Sequence, residues 1–271
     1  MSPRVLYTDI DGTLVGPGGN LLADSDGEPS DVAVAALLRA KAAGLEIVGL
    51  SGRAQLRMFE LARLVGMRSW ICELGGVRIY ERGDETVLDT GAYDGSIPLP
   101  EALAEARTAL ENHFDTLEEH DPWNEGREVS VMVRGDCDVS EAERLLAEEG
   151  FGWAGVTDNG VLPRSVPTLP DVERVRIYHV APRGLSKRNG IVADQRHRGL
   201  DPNDCAVVGD AASDLECAEV VGRCFIVANA LRKDPQLAER VGDVPNVTVT
   251  ARGHGSGFAE AVDTLIAAPD E

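Results

Sequence analysis

Lysine is scarce in this chain: Lys41, Lys187 and Lys233 are the only ones in 271 residues, and arginine supplies the rest of the positive charge. Against 26 lysines and arginines stand 46 aspartates and glutamates, a net charge of −20. A field of that sign argues against nucleic acid and anionic membrane surfaces as partners. It also repels an anionic small molecule, so any phosphate site must bring its own cations locally. Cysteine is present but unorganised. Cys72, Cys137, Cys205, Cys217 and Cys224 are odd in number and form no CxxC pair, which points to reduced thiols and away from a disulfide framework or a zinc site. His113, His120, His179, His197 and His254 show no ligand spacing. Apolar runs long enough to span a bilayer are lacking, as are the charged and apolar regions of a signal peptide. Internal repeats and long low-complexity tracts are absent. A cytoplasmic protein is expected, with its oligomeric state left open.

What the chain does have is an ordinary core composition, 43% hydrophobic, spread over a length that exceeds one average domain. Val5–Thr8 reads as a buried strand, and the Gly-, Pro-, Asn- and Asp-rich stretch 16–28 as a loop. Ser30 or Asp31 can cap a helix running to about Ala43, where Gly44 stops it. Leu45–Leu50 is a second strand, 54–65 a helix and Trp70–Cys72 a third strand. The β-α-β-α-β order predicts a parallel sheet. From about Gly83 to Val180 the rhythm changes to strands interleaved with two helices, near Pro100–Asn112 and Ser140–Glu149, with strands at Glu128–Arg134 and Val172–Val180. The parallel rhythm then resumes. Ser186 caps a helix to about His197, and Cys205–Gly209 is a strand. A helix over 213–221, a strand at Cys224–Val227, a helix from about Asp234, a strand at Val247–Val249 and a helix from Ser256 complete the chain. The expected fold is α/β: a doubly wound, Rossmann-like parallel-sheet core over 1–82 and 181–271, with an inserted α+β cap over 83–180.

The junction Asp9-Ile10-Asp11-Gly12-Thr13 carries the most chemistry. Two carboxylates one residue apart at the end of a buried strand point the same way, because strand side chains alternate. Buried aspartate is costly unless it is paired or holds a metal. The pair suits a hard cation such as Mg²⁺, which takes oxygen ligands and shares them with phosphate. Alone, the motif reads equally as a strand end and an Asp-Gly turn. In an open parallel sheet, however, ligands bind beyond the carboxyl ends of the strands. Ser51-Gly52-Arg53 and Gly209-Asp210-Ala211-Ala212-Ser213-Asp214 fall at two further such ends. Lys187, at the start of a helix, joins its ammonium to the positive end of the helix dipole.

This ordered set, DIDGTL at 9–14, LSGR at 50–53, SK at 186–187 and GDAASD at 209–214, resembles the haloacid dehalogenase superfamily of phosphatases. With the insert after the third strand it is similar to the branch with a large α/β cap, the Cof-like, sucrose-phosphatase-like and mannosyl-3-phosphoglycerate-phosphatase-like relatives. Ser213 stands where members carry Asn, and Leu74 where relatives often have Asn. The resemblance implies a Mg²⁺-dependent phosphomonoesterase working through an aspartyl-phosphate on Asp9, with Asp11 as general acid and base. It implies Mg²⁺ ligation by Asp9, the Asp11 carbonyl, Asp210 and Asp214, and phosphoryl binding by Ser51, Gly52, Lys187, Arg53 and Asn229. The expected partner is a small soluble phosphate ester, a sugar phosphate or glycosyl-3-phosphoglycerate, chosen by the cap. Arg127, Arg134, Arg164, Arg174 and Arg176 are the cap cations that could reach a second anion or sugar hydroxyls.

Three other readings share these residues. A phosphosugar mutase of the same fold would use the same aspartates and differ only in product. A receiver-type signalling module also has an acidic Mg²⁺ pocket, but it needs neither the insert nor a second aspartate two residues on. A phospho-ligand-binding protein without catalysis has no use for both Asp9 and Asp11.

Overall fold

The computed structural model describes residues 3–162 and 165–267; Arg164 lies outside the described residues. Contacts divide the chain into two compact units. One comprises Met1–Arg53, Arg57–Val87 and Ser186–Glu271, and the other Ala54–Leu56 and Leu88–Leu185.

The first unit begins with β1 (Val5–Asp9), α1 (Val32–Ala42), β2 (Glu46–Leu50), α2 (Gln55–Val65), β3 (Trp70–Cys72), β4 (Val77–Tyr80) and β5 (Glu85–Leu88). The second contains α3 (Leu99–His113), β6 (Leu117–Glu119), β7 (Val131–Gly135), α4 (Val139–Glu148), β8 (Ala154–Val161) and β9 (Arg176–Pro182). The chain then returns to the first unit through α5 (Lys187–Arg198), β10 (Cys205–Gly209), α6 (Ala212–Leu215), β11 (Arg223–Ile226), α7 (Ala228–Lys233), α8 (Pro235–Val241), β12 (Val247–Val249) and α9 (His254–Ile266).

Among the described residues the first unit forms one eight-stranded sheet in the order β12-β11-β10-β1-β2-β3-β4-β5. Strands β12 through β3 run parallel, and β4 pairs antiparallel with β3. β1 is buried along its whole length, which is why it reads as an unbroken apolar run rather than an alternation. It lies between β10 and β2, with Thr8 opposite Val208 and Asp9 opposite Leu50. The chain moves to one side of β1 first and to the other later, so a topological switch point falls at its carboxyl end. Tyr7, Val48, Leu50, Ile191, Val207 and Ile226 belong to the core on the α5 side of this sheet.

Local chemistry sets the ends of the elements. Ser186 Oγ accepts the Asn189 N–H at 3.1 Å to start α5, and Gly199 closes it in the left-handed region at φ 63°. Three elements depart from expectation. β4 was not anticipated, because its four residues, interrupted by Arg78, form neither an unbroken apolar run nor an alternation long enough to read. The segment expected to be helical over 213–221 is one α-turn, α6, followed by a 3-10 stretch, Glu216–Val220. α7, also not anticipated, fits in the space between β11 and α8.

The second unit is an antiparallel four-stranded sheet, among the described residues, in the order β6-β7-β9-β8, with a register shift between Asp158 and Val161. Its core joins α3 and α4 to one sheet face through Ala106, Leu110, Val133, Leu146, Tyr178 and Val180. Among the described residues no helix is long and apolar enough to cross a membrane.

Candidate functional site

β1 delivers Asp9 buried at its carboxyl end, and the chain turns away through Gly12 at φ 92°. Only glycine fits there. The φ lies in a region L side chains rarely adopt, and a Cβ would overlap the Asp210 carboxylate. Gly209 is restricted by contact instead, since a Cβ would overlap Asp214. These two glycines let the DxDGT turn, the end of β10 and the start of α6 close around one point.

Three buried carboxylates, Asp9, Asp210 and Asp214, each present an oxygen within 4.8 Å of the others. Lys187 Nζ donates to Asp9 Oδ1 at 2.6 Å and to Asp214 Oδ1 at 2.7 Å. The other Asp214 oxygen accepts the backbone N–H groups of Asp210 and Ala211, both at 3.1 Å. Lys233 Nζ lies 3.3 Å from Asp210 Oδ2. Asp9 Oδ2 is buried and accepts no hydrogen bond.

The electrostatics follow from this crowding. Burial pushes the Asp9 carboxyl up to about 6; the Lys187 ammonium opposes that shift and the Asp214 charge adds to it. Burial also raises Asp214, against the pull of Lys187, and raises Asp210 together with the charge of Asp9. Burial works against the Lys187 ammonium, but the charges of Asp214 and Asp9 outweigh it and raise its pKa. Such a hard, oxygen-only donor set with one bare buried oxygen fits a small divalent cation like Mg²⁺.

Asp11 is in a different environment. Its side chain is 56% exposed and is held by both ends of Arg53, Nε to Oδ2 at 2.7 Å and Nη2 to Oδ1 at 2.5 Å. Ser51 is buried just beyond β2, and its Oγ accepts the Arg53 N–H at 3.2 Å. Asn229, near the start of α7, donates to the Gly12 carbonyl at 2.9 Å and accepts the His254 N–H at 2.8 Å. Both ends of its amide are therefore used to brace the turn after Asp11. Leu74 adopts φ 57°, a conformation that asparagine tolerates better than leucine.

Asp9, Asp11, Ser51, Gly52, Arg53, Asp210, Asp214 and Asn229 therefore lie at the carboxyl end of β1, β2, β10 or β11 or at the start of the helix that follows, and Lys187 joins them from the start of α5, the helix after β9. Of the arginines named in the second unit, three are engaged within it, while Arg174 is exposed. Arg127 donates to the Trp123 carbonyl and Ser130 Oγ, Arg134 pairs with Glu118, and Arg176 pairs with Asp158. Lys233 was missed as a site residue, although a signal existed: two of the chain's three lysines touch the acidic cluster.

No family model matches the chain. Among curated proteins, the phosphoglycolate phosphatase of Haloarcula marismortui is 27% identical over 258 residues, covering 95% of each chain. That of Archaeoglobus fulgidus is 27% identical over 265 residues, covering 97% of each. Among solved structures, a Thermoplasma acidophilum protein matches with a TM-score of 0.69 at 17% identity, over 98% of this chain and 99% of that one. The sucrose-phosphatase of Synechocystis, solved with sucrose and phosphate, gives 0.65 at 18% over 98% of each. A haloacid dehalogenase-like hydrolase from Bacteroides thetaiotaomicron gives 0.65 at 17%, over 97% and 99%. The fold is thus that of the haloacid dehalogenase-like hydrolases, an α/β core interrupted by an α+β module. In sequence the chain is similar over nearly its whole length to phosphoglycolate phosphatases, which supports a phosphatase with this fold.

Proposed function

We propose that this phosphatase is a Mg²⁺-dependent phosphomonoesterase for a small phosphorylated metabolite, acting through a phosphoenzyme on Asp9. The observation that carries the reading is the asymmetric Asp9 carboxylate. One oxygen is fixed by Lys187, the other is buried and bare, and the carboxylate is grouped with those of Asp210 and Asp214. Asp9 attacks phosphorus as the ester P–O bond breaks, and Asp11 donates its proton to the departing alkoxide. Asp11 then takes a proton from the water that opens the aspartyl-phosphate, which frees inorganic phosphate and restores Asp9.

Asp9, Asp210 and Asp214 would hold Mg²⁺, with the Asp11 carbonyl, and the ion supplies charge neutralisation for the phosphoryl oxygens. Lys187 keeps Asp9 aligned and adds positive charge in a chain whose overall field repels phosphate. Ser51 and the Gly52 N–H complete the phosphoryl shell. Arg53 is the cation paired with Asp11, and an incoming phosphate competes with Asp11 for it, releasing Asp11 toward the leaving oxygen.

The size of the likeness to phosphoglycolate phosphatases, nearly the whole chain of each, makes phosphoglycolate the first substrate to test. Sugar phosphates and glycosyl phosphoglycerates follow, on the strength of the cap and of the likeness to sucrose-phosphatase. The residues from about 83 to 180 would choose the leaving group. The test is phosphate release from a panel of these esters and nucleotides, with and without Mg²⁺, by the wild type and by Asp9→Asn. Turnover in a clean Asp9→Asn preparation would remove the nucleophile assignment. Turnover in full chelation would remove the metal.

A further inference from the structure

The strand that ends in Asp9 and the helix that begins with Lys187 are joined at a second point. Two residues before Asp9, on the same face of β1, the Tyr7 hydroxyl donates to Asp194 Oδ2 at 2.6 Å. Asp194 lies seven residues after Lys187 on α5, almost two full turns on and so nearly on the same face. Tyr7 and Asp194 are both fully buried. One strand and one helix are therefore cross-linked twice by polar pairs, Asp9–Lys187 and Tyr7–Asp194. The anchors lie about 7 Å apart along the strand and about 10 Å apart along the helix. A helix held at one such point can slide or turn about it, whereas two fix both freedoms.

We infer that Tyr7 and Asp194 are positioning residues that set the register of α5 on β1 and thereby hold the Lys187 ammonium against Asp9. The catalytic part of this inference rests on the hydrolysis proposed above. Stability is a poor reason for the pair. A buried carboxylate is matched or bettered by apolar packing, and its best attested use is in fixing register. The surroundings are built for the same end. Arg198, one turn further along α5, lies 3.5 Å from Asp194 and also pairs with Glu46 at the start of β2. Near the start of the helix, Gly190 packs against the backbone of Gly75 so closely that a Cβ would intrude on it. The rival account makes Asp194 merely the counter-ion of Arg198, in which case the Tyr7 hydroxyl matters only to folding.

The experiment is a double-mutant cycle of Tyr7→Phe with Lys187→Met, read as kcat, KM and melting temperature. In the otherwise wild-type chain, Tyr7→Phe should lower kcat about tenfold with KM changed less than about threefold. In the Lys187→Met background the same change should leave kcat within about twofold. An equal loss of kcat in both backgrounds, or no loss in the first, would overturn the inference. Asp194→Asn keeps an oxygen acceptor for Tyr7 but not the charge facing Arg198. It should lower the melting temperature while kcat stays within about threefold, whereas Asp194→Leu should lose about as much kcat as Tyr7→Phe. An Asp194→Leu protein that folds and turns over normally would sink the idea.

A readout without turnover separates this inference from the reaction itself. Lys187 is 7% exposed and Lys41 is open to solvent, so reductive methylation followed by peptide mass measurement reports how tightly α5 holds its lysine. The Lys187-to-Lys41 labelling ratio should rise at least about fivefold in Tyr7→Phe, as buried groups become reactive when their cover loosens. An unchanged ratio refutes the positioning role even if activity falls. A raised ratio in a protein that hydrolyses no ester refutes the proposed reaction and leaves the register device standing.

Discussion

Lys187 is the side chain at which the structure and the proposed chemistry meet. It is the buried cation between two buried carboxylates, and removing it leaves Asp9 and Asp214 to repel each other without compensation. Lys187→Ala should therefore lower kcat/KM by at least about tenfold, about 1.4 kcal/mol of transition-state stabilisation. Steady-state kinetics at saturating Mg²⁺ test this, and a value near wild type would show that the ammonium serves folding alone. Gly12 makes a second case at this scale. Gly12→Ala must find room for a methyl group where Asp210 now sits, at a φ that alanine resists. Loss of cation binding is expected before loss of the fold, and a Mg²⁺-dependent melting shift reads it directly. A full shift in Gly12→Ala would mean that the turn relaxes without moving Asp210.

Elements explain which parts were legible in advance. The parallel core announced itself because buried strands such as β1 and β10 are continuous apolar runs that end abruptly in acidic or glycine-rich turns. Asp9, Lys187, Asp210 and Asp214 could be picked out for the same reason: each stands where such a run stops or a helix starts. β4 was not legible because four residues broken by Arg78 make neither a continuous apolar run nor a readable alternation, and α7 because six residues are too few to show a helical period. The Arg53–Asp11 ion pair and the reach of Lys233 to Asp210 depend on how helices pack, which no local pattern records. Packing also reverses a propensity rule in α5. Alanine at an interior helix position normally gains about 1 kcal/mol over glycine. Gly190→Ala should instead destabilise, since its methyl group would press on the Gly75 backbone and overpacking costs about 1–3 kcal/mol. Chemical denaturation decides between the two signs, and a stabilised Gly190→Ala would mean that α5 rides further from the 73–75 turn than its register on β1 implies.

At the level of the whole molecule, a net charge of −20 sets the background against which the site must work. Self-repulsion of that size weakens the folded state and is screened by salt, so the melting temperature should climb with monovalent salt. The acidic cluster adds a pH dependence of definite sign. Asp9, Asp210 and Asp214 all have carboxyl groups raised by burial, Asp9 to about 6. A raised carboxyl pKa means that the folded state holds the proton more tightly than the unfolded chain does. The resulting stabilisation is complete below the ordinary carboxylate range and disappears as pH rises through about 6. Chelator-treated protein in high salt, where the general charge is screened, should thus melt at lower temperature near pH 8 than near pH 5. Mg²⁺ should reverse the order, because a cation that binds the ionised carboxylates stabilises most where they are ionised. Asp9→Asn, which cannot titrate, should show a shallower slope under chelation and a smaller Mg²⁺ shift. Melting curves across this range, with and without Mg²⁺, test all three statements together. If chelated Asp9→Asn keeps the full wild-type slope, the pH dependence belongs to the surface charge, and the buried cluster is not the seat of the cation response.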